Sequence, residues 1–339
     1  MEYRTLGRTG VKVSPLCLGT MMFGAWGNTN HDDCVRIIHQ ALDAGINFVD
    51  TADVYSQGEC EAIVGKALTG RRDSVVLATK VHGKMGEGQN RQRNSRRYIV
   101  QAVEASLSRL KTDWIDLYQL HRADPFTDID ETLRAMDDLI TQGKIRYVGT
   151  STFPAPDIVE AQWCADRRGH ARLVSEQPPY SILVRAAETD VFPVCRRHGM
   201  SVITWSPLAS GWLSGRWRSG QPAPATSRAG RTPQRFDLSR PENQRKLEIV
   251  DALAVLADGA GMSLVQMSVA WALVHPAVTS AIIGPRTAEQ LASQLGADVV
   301  NLDGALLDRI DELVAPGTNV FREDGGWQNP SLKLEARRR

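Results

Sequence analysis

The stretch INFVDTADVYSQGECEAIVGKAL, residues 46–68, contains the unit that decides the fold. It begins as an apolar run of strand length, and after a short loop it takes up the spacing of a helix. Side chains alternate along a strand, so Ile46, Phe48 and Asp50 face one side, and the first two are apolar. We therefore expect Asp50 at the end of a buried strand, with Tyr55 on the loop just beyond it.

Strand-length apolar segments recur along the chain, at 13–20, 74–81, 114–121, 145–152, 172–180, 201–208 and 278–285. Amphipathic helical segments such as 98–111 and 131–144 lie between them. Near-continuous apolar strands that alternate with helices indicate a parallel sheet covered by helices. A count of eight strands favours closure of that sheet into a barrel. We predict an α/β fold, a parallel (β/α)8 TIM barrel that forms a single domain over residues 1–339. A doubly wound open sheet is the alternative architecture.

Three segments fall outside this repeat. Residues 3–14 carry a glycine turn between alternating residues, which predicts a β-hairpin that caps the bottom of the barrel. The segment at about 218–242 follows the seventh strand and is too polar for a core. It is interpreted either as a lid over a cofactor or as a disordered insertion. Residues from about 320 to 339 are expected to form a C-terminal tail whose terminal arginines are solvated.

The composition excludes several classes of partner. The chain has 40 basic and 39 acidic side chains and a net charge of +1, which indicates neither nucleic acid nor an anionic membrane as a partner. The amino terminus has no signal-peptide pattern, and no apolar run approaches the roughly 20 residues that span a bilayer. Five scattered cysteines without a C-x-x-C pair fit buried thiols. We expect a cytoplasmic protein that acts on a small molecule.

Two further strands end in an ionisable residue that faces the same way as Asp50. Lys80 is in phase with Ala78, and His121 is in phase with Leu117. The carboxyl ends of the strands form the rim at which catalytic groups of an α/β barrel converge. Taken singly, each residue is more simply explained by packing or by a satisfied buried pair. Three such residues at one rim, beside a tyrosine, indicate a catalytic site.

These residue types indicate proton transfer to or from a carbonyl oxygen. A phenol titrates near pH 10 in water, and a cation about 4 Å away would lower its pKa by roughly three units at an effective dielectric near 20. Lys80 is the expected cation, kept charged by Asp50, and a neutral or protonated His121 would orient the carbonyl. Tyr55 would donate or accept the proton. Because no side chain offers a hydride, a cofactor is required.

The segments VDTADVYSQGECEAIVGKAL, LATKV, WIDLYQLH and IRYVGTSTF together resemble the aldo-keto reductase family over essentially the whole chain. The resemblance implies a (β/α)8 barrel that reduces aldehydes and ketones with NADP(H). It makes Tyr55 the general acid/base, Asp50 and Lys80 the partners that lower its pKa, and His121 the residue that orients the substrate.

The chain has no G-x-G-x-x-G turn of the Rossmann type, and the family it resembles binds the dinucleotide extended across the rim. Thr152 replaces a common Asn at the nicotinamide carboxamide, and Trp205 replaces a common Tyr under the nicotinamide ring. The positions that the resemblance assigns to the cofactor are Gly19, Thr20, Met21, Asp50, Ser151, Thr152, Gln177, Trp205, Ser206, Pro207, Leu208, Gly211, Arg216, Gly284, Arg286, Gln290 and Gln294.

The last predicted strand leads into a helix start that carries Arg286. An arginine there opposes the helix dipole, which predicts a bound anion, and the resemblance makes that anion the 2'-phosphate of NADP. An aromatic cleft would suit apolar or ring-bearing carbonyl compounds, although the same side chains could equally pack the loops. The residues expected to line this cleft are Met22, Phe23, Trp26, His31, Tyr55, His121 and Phe126.

The predicted function is therefore NADPH-dependent reduction of an aldehyde or ketone, with Tyr55 as the proton donor. The alternative is a nucleotide-binding regulatory protein on the same scaffold, like the potassium-channel β-subunits of the family. A metal-dependent barrel hydrolase is disfavoured, because neither H-x-H nor H-E-x-x-H occurs. The sequence leaves both a monomer and a homo-oligomer open.

Overall fold

The chain forms a closed barrel of eight parallel strands preceded by a two-stranded antiparallel hairpin. The computed structural model describes residues 1–224, 229–326 and 334–337. The hairpin strands are β1 (Arg4–Thr5) and β2 (Lys12–Val13). The barrel strands are β3 (Leu16–Gly19), β4 (Phe48–Asp50), β5 (Val76–Val81), β6 (Ile115–Leu120), β7 (Ile145–Ser151), β8 (Leu173–Gln177), β9 (Ser201–Trp205) and β10 (Val278–Ile283).

Helices connect the strands and cover the outside of the barrel. In the described part of the chain, no single helix is long and apolar enough to cross a bilayer. The helices Pro241–Gly259 and Leu264–Val274 meet that criterion only as a pair, and this pair is bent by 94°. The helices are α1 (His31–Asp43), α2 (Glu59–Ala67), α3 (Arg96–Leu110), α4 (Ile129–Thr141), α5 (Ala155–Arg168), α6 (Val191–His198), α7 (Pro241–Gly259), α8 (Leu264–Val274), α9 (Ala288–Gln294), α10 (Gly304–Leu313) and α11 (Leu334–Arg337).

Local sequence signals account for several helix ends. Ser263 and Gln266 form a capping box at the start of α8, so the first free N–H groups are satisfied. The Ser95 side chain accepts a hydrogen bond from the Tyr98 amide at the start of α3. Gly169 ends α5 in the left-handed conformation that glycine adopts without steric cost.

The pairing of β10 with β3 closes the barrel, with Ala281 opposite Leu16. The predicted (β/α)8 barrel is confirmed, and the doubly wound alternative is wrong. Apolar side chains fill two separate spaces, the barrel interior and the layer between strands and helices. The interior cluster is Leu6, Val13, Cys17, Phe48, Ala78, Leu117, Ile203 and Ile282. Because Leu6 and Val13 come from the hairpin segment, the predicted cap on the barrel is confirmed.

The long loop after β9 is partly core, so the expectation that it is too polar to pack is wrong. Phe236 is buried, and its ring stacks with those of Trp212 and Trp217 at centroid distances of 6.1 Å. The two tryptophans are themselves 4.0 Å apart. Apolar anchors thus hold both ends of the loop, whereas its residues 225–228 lie outside the described part of the chain.

The predicted C-terminal tail starts later than expected. Phe321 is buried, and Asp324 forms ion pairs with Lys246 at 2.5 Å and with Arg235 at 3.3 Å. Residues 321–326 therefore pack on the long loop and on α7. Residues 327–333 and 338–339, which the tail prediction also covered, lie outside the described residues.

We expect Asp324→Asn to destabilise the fold. The Lys246 side chain is fully buried, and burial lowers the pKa of its ammonium despite the nearby carboxylate. Removing that carboxylate leaves the charge uncompensated, so the free energy of unfolding should fall by about 3 kcal/mol in a urea titration. Glu323 is the more exposed neighbour of Asp324 and provides the control. Glu323→Gln should change the free energy of unfolding by less than about 0.5 kcal/mol. Equal losses in the two variants would contradict this role.

Candidate active site

A buried ion pair lies at the carboxyl rim of the barrel. Asp50 ends β4 and Lys80 lies near the end of β5, and both side chains face the interior. Lys80 Nζ donates to Asp50 Oδ1 at 2.5 Å, to the Thr51 carbonyl at 2.9 Å and to the Tyr55 hydroxyl at 3.3 Å. These three bonds use all three hydrogens of the ammonium group. The lysine is therefore held in one position, directed at the phenol.

The second oxygen of Asp50 organises the centre of the barrel. Asp50 Oδ2 accepts from Gln119 Nε2 at 3.1 Å and from Gln177 Nε2 at 2.9 Å. Gln177 Nε2 also donates to Gln119 Oε1 at 3.1 Å. Sequence reasoning identified Gln177 but gave Gln119 no role. Its inward phase, two residues before His121, was the signal that could have found it.

Tyr55 and His121 are neighbours, as predicted. Their ring centroids are 5.8 Å apart in an edge-to-face arrangement, and the ring centroid of Trp26 lies 6.0 Å from that of Tyr55. Burial, together with the charges of Lys80 and Arg122, holds the pKa of His121 well below its usual value. The imidazole is therefore neutral at neutral pH. It offers one N–H donor and one acceptor nitrogen.

The expected lowering of the tyrosine pKa is wrong for the described structure. Burial raises the pKa of Tyr55 more than the Lys80 ammonium lowers it, and Asp50 adds a further increase. Burial alone would lower the pKa of Lys80, but Asp50 and Tyr55 raise it above its ordinary value. At neutral pH the site thus contains a protonated phenol beside an ammonium group. This arrangement suits a proton donor better than a proton acceptor.

The predicted nicotinamide residues lie together beside this network. Ser151 donates to the Gln177 carbonyl at 3.0 Å, and Trp205 Nε1 donates to Thr152 Oγ1 at 3.3 Å. Gly326 lies beside the same edge of the half-buried Trp205 ring, because a Cβ atom there would come within 2.9 Å of Trp205 Cζ2 and within 3.2 Å of Thr152 Cγ2. Within the described part of the chain, the Gln177 side chain hydrogen-bonds only through Nε2, and its Oε1 accepts no hydrogen bond. An aromatic face beside a free amide acceptor fits a nicotinamide carboxamide.

The loop after β9 is a tight turn with several left-handed residues. Ser206, Ala209 and Ser210 adopt positive φ angles of 63°, 47° and 60°, as does Gly211 at 102°. Ser206 Oγ accepts from the Ser210 amide at 2.8 Å. Pro207 is buried and Leu208 is half-buried, so both anchor the turn.

Three residues assigned to the cofactor lie on the β3 side of the rim. Gly19 is closely packed, because a Cβ atom there would lie 2.4 Å from Ile282. Thr20 donates to the Asp50 carbonyl through its amide at 3.0 Å and through its hydroxyl at 3.2 Å. Met21 is half-buried. These contacts align the end of β3 with that of β4.

Two arginines occupy the predicted phosphate positions at the rim. Arg216 is exposed, and Arg286 is half-buried before α9. Among the described residues, neither guanidinium has a carboxylate within ion-pair distance. The Arg286 amide donates to Gln290 Oε1 at 2.8 Å, and the buried Gln294 donates to the Gln290 carbonyl at 2.7 Å. These bonds build the turn that carries Arg286, and Gly284 is exposed before it.

Not all of the predicted cleft residues reach Tyr55. Trp26 does, and Met22 is buried and is contacted by Arg231. Phe23 is instead fully buried in the layer between strands and helices. Phe126 is 77% exposed and stacks against Arg93. The exposed His31 pairs with Glu59 at 2.6 Å.

Two arginines that sequence reasoning missed also belong to the rim. Arg122 Nη1 donates to the His121 carbonyl at 2.5 Å and to Thr152 Oγ1 at 3.2 Å. The guanidinium of Arg231 lies 4.8 Å from the Trp26 ring. Because Arg231 belongs to the long loop after β9, this contact favours a covering loop over a disordered insertion.

The closed (β/α)8 barrel and the aspartate, tyrosine, lysine and histidine that meet at its rim define the class of α/β-barrel oxidoreductases. The model of the Aldo/keto reductase family matches residues 15–315, and the chain belongs to this family.

Curated relatives align over nearly their whole length. The chain is 40% identical over 324 residues to the "Uncharacterized oxidoreductase YrpG" of Bacillus subtilis, which covers 92% of this chain and 96% of that protein. It is 37% identical over 331 residues to a "Probable voltage-gated potassium channel subunit beta" of Arabidopsis thaliana (93% and 97%). It is 34% identical over 340 residues to the "Versiconal hemiacetal acetate reductase" of Aspergillus parasiticus (93% and 98%).

A second buried carboxyl lies two residues before Tyr55. Asp53 has no exposed surface, and in the described part of the chain neither of its oxygens makes a well-aligned hydrogen bond, although the Val54 amide and the Tyr98 hydroxyl lie near it. Burial and the neighbouring Glu61 raise the pKa of Asp53 to about 8. Arg109 is committed to Glu61 at 2.7 Å and opposes this shift only in part. The Asp53 carboxyl is therefore mostly protonated at neutral pH.

Asp53→Asn should remove a pH dependence of stability. The unfolded carboxyl ionises near pH 4 and the folded one near pH 8, so between these values the folded state holds the extra proton. The wild-type free energy of unfolding therefore falls as the pH rises through this window. In urea titrations, the free energy of unfolding of the variant should rise relative to that of the wild type between pH 5 and pH 8, by on the order of a few kcal/mol. The exposed Asp73→Asn serves as the control, and parallel curves for Asp53→Asn and wild type would refute the assignment.

Proposed function

We propose that the protein reduces an aldehyde or ketone to the alcohol with NADPH, and that Tyr55 donates the proton. One observation carries this proposal. Lys80 Nζ donates to the Tyr55 hydroxyl oxygen at 3.3 Å, which leaves the phenolic hydrogen free for a substrate oxygen. A charged donor on the phenol oxygen stabilises the phenolate that remains after proton transfer.

Each of the four rim residues has a separate task in this reaction. The neutral His121 donates an N–H bond to the carbonyl oxygen and so places it against Tyr55. Tyr55 then gives up its proton, and Lys80 stabilises the phenolate because its ammonium is already in place. Asp50 keeps Lys80 charged in a buried position. When bound, NADPH would supply the hydride that the side chains lack.

The proposed cofactor site extends from Trp205 to Arg286. Ser151, Thr152 and Gln177 would hold the carboxamide, and Trp205 would stack on the nicotinamide ring. The turn at 206–211, together with Arg216, would hold the pyrophosphate. Arg286 would pair with the 2'-phosphate, which favours NADP over NAD. Further cofactor contacts are proposed at Gly19, Thr20, Met21, Gly284, Gln290 and Gln294.

The substrate and the compartment are proposed in coarser terms. Trp26 beside Tyr55 favours an apolar or ring-bearing carbonyl compound. All five cysteines are buried free thiols, which fits a reducing compartment such as the cytoplasm.

A second candidate function is regulatory. Relatives named as potassium channel β-subunits, at 36% and 37% identity, favour it because they align with nearly the whole chain. A titration with NADPH followed by a panel of soluble aldehydes and ketones separates the two functions. Binding with NADPH consumption supports the reductase, binding without consumption supports the regulatory protein, and the absence of binding contradicts both.

Tyr55→Phe tests the proton donor. Loss of the hydroxyl should lower kcat for carbonyl reduction by about 100-fold or more, because general acid catalysis contributes at least that factor. The Kd for NADPH should stay within a few-fold of the wild type. Tyr3→Phe makes the same chemical change at an exposed position and should leave both values unchanged. A Tyr55→Phe enzyme with nearly normal kcat would rule out the assigned role.

Arg286→Gln tests the cofactor preference. Losing a charge-assisted pair to the 2'-phosphate should raise the Kd for NADPH by about tenfold or more and leave the Kd for NADH nearly unchanged. Arg309→Gln, at an exposed position on α10, is the matched control and should affect neither constant. If Arg286→Gln weakens both cofactors equally, Arg286 does not bind the 2'-phosphate.

A further inference from the structure

We propose that the protein binds the phosphate group of a small molecule at the amino-terminal end of the barrel, opposite the rim that carries Tyr55. Four side chains form the site and make up a basic cluster: Arg8, Arg172, Arg197 and His198. None of them lies at the rim, so this proposal does not depend on the proposed function. It assigns the chain a second ligand.

Three elements of the fold bring the basic cluster together. Arg8 lies in the turn between β1 and β2, and Arg172 directly precedes β8. Arg197 and His198 are the last residues of α6, shortly before the start of β9. The first residues of parallel barrel strands lie at the end of the barrel that is opposite the catalytic rim. The basic cluster is therefore remote from the site described above.

The Arg172 side chain is held in position from two sides. Its Nη2 donates to His198 Nδ1 at 3.3 Å, and its Nε donates to Gln162 Oε1 at 3.3 Å. Gln162 is buried on α5 and donates through Nε2 to the Leu173 carbonyl at 2.8 Å. A guanidinium can only donate, so His198 Nδ1 is the acceptor and Nε2 carries the ring hydrogen. Among the described residues, that N–H has no acceptor.

Arg8 packs directly on the backbone at the end of α6. A Cβ atom at Gly199 would come within 2.1 Å of Arg8 Nε and within 2.7 Å of its Cζ. The φ angle of Gly199 is 65°, so glycine is required twice, once for the left-handed end of the helix and once for the guanidinium. The guanidinium of Arg8 is thereby placed next to His198.

The basic cluster has no counter-charge. In residues 1–224, 229–326 and 334–337, none of its guanidiniums lies within ion-pair distance of a carboxylate, and Asp166 on the neighbouring α5 also forms no ion pair. Burial, together with the charges of Arg172, Arg197 and Arg8, holds the pKa of His198 below its usual value. Three positive charges therefore surround a neutral imidazole that points an N–H outward.

The dipole of α6 explains only part of this arrangement. Cations are favoured at the carboxyl end of a helix, which accounts for Arg197 and His198. It does not account for Arg8 and Arg172, which come from other elements and repel the charge on the helix. A bound anion would remove this repulsion and satisfy the free donors.

The number of charges and donors favours a phosphate over a carboxylate. A carboxylate brings a single charge and two oxygens, whereas a phosphate monoester carries about 1.5 to 2 negative charges at pH 7 and three acceptor oxygens. Guanidiniums match such a group with paired N–H donors. All three arginines of the basic cluster are exposed, so a ligand can reach them. Arg197 also lines a cavity of about 560 Å³, which leaves room for the rest of a phosphorylated molecule.

A titration with sodium pyrophosphate at constant ionic strength tests the site. The histidine ring signals of the full-length protein would be followed by NMR, and the His198 signal is identified by its absence in His198→Gln. We expect a Kd of about 1 mM or lower, as for a few charge-assisted bonds. The pKa of His198 should rise by about one unit, because the anion offsets the surrounding positive charges.

Matched variants locate the anion. Arg172→Gln and Arg197→Gln should each raise the Kd for pyrophosphate by about fivefold or more, since each removes a charged donor. Arg309→Gln, at an exposed position on α10, should leave that Kd unchanged. Neither cluster variant should alter the Kd for NADPH, because both positions lie at the opposite end of the barrel from the rim.

Two results would overturn the proposal. One is that pyrophosphate shifts the His198 signal no more than sodium chloride of equal ionic strength does. The other is that Arg172→Gln and Arg197→Gln bind pyrophosphate as tightly as the wild type, which would place the anion elsewhere, such as at Arg216 or Arg286. Either result leaves the proposed function untouched.

Discussion

The buried pair of Lys80 and Asp50 is the interaction on which the rest of the rim depends. Two opposite charges inside a barrel are costly unless every hydrogen and lone pair has a partner. The partners are the Thr51 carbonyl, the Tyr55 phenol and the amides of Gln119 and Gln177. Because the pair forces each of these groups into one orientation, it determines both where a proton is available and which way the amides face.

Before any ligand binds, the electrostatics of the rim keep the Tyr55 phenol protonated, as a proton donor requires. Burial acts on Tyr55 more strongly than the ammonium does, so the phenol keeps its proton. The same burial, with two cations nearby, keeps His121 neutral. The site therefore holds its proton on the oxygen and leaves the imidazole as an uncharged hydrogen-bond partner. A carbonyl oxygen entering between them would meet two neutral donors, with Lys80 behind the phenol.

The sequence predicted those features that depend on local periodicity. Strand phase placed Asp50 and Lys80 inside, and the count of βα units gave the closed barrel. Features that arise from contacts between distant segments were missed, since nothing local marks Arg231 against Trp26 or the packing of 321–326 on α7. The net pKa of Tyr55 was also predicted wrongly, because the sequence gives the neighbouring charge but not the depth of burial.

The loops at the carboxyl end of the barrel have a cost in conformational energy. Several residues with side chains adopt left-handed backbone conformations in loops that follow barrel strands: Ser56, Gln57, Thr152, Ser206, Ala209 and Ser210. Each is disfavoured by roughly 1–3 kcal/mol unless its surroundings enforce it. Conformational strain is thus stored at the carboxyl end of the barrel. A loop that holds these backbone angles places its side chains accurately but lowers the thermal stability of the fold. The packed barrel beneath the loops supplies the stability that lets the strain persist.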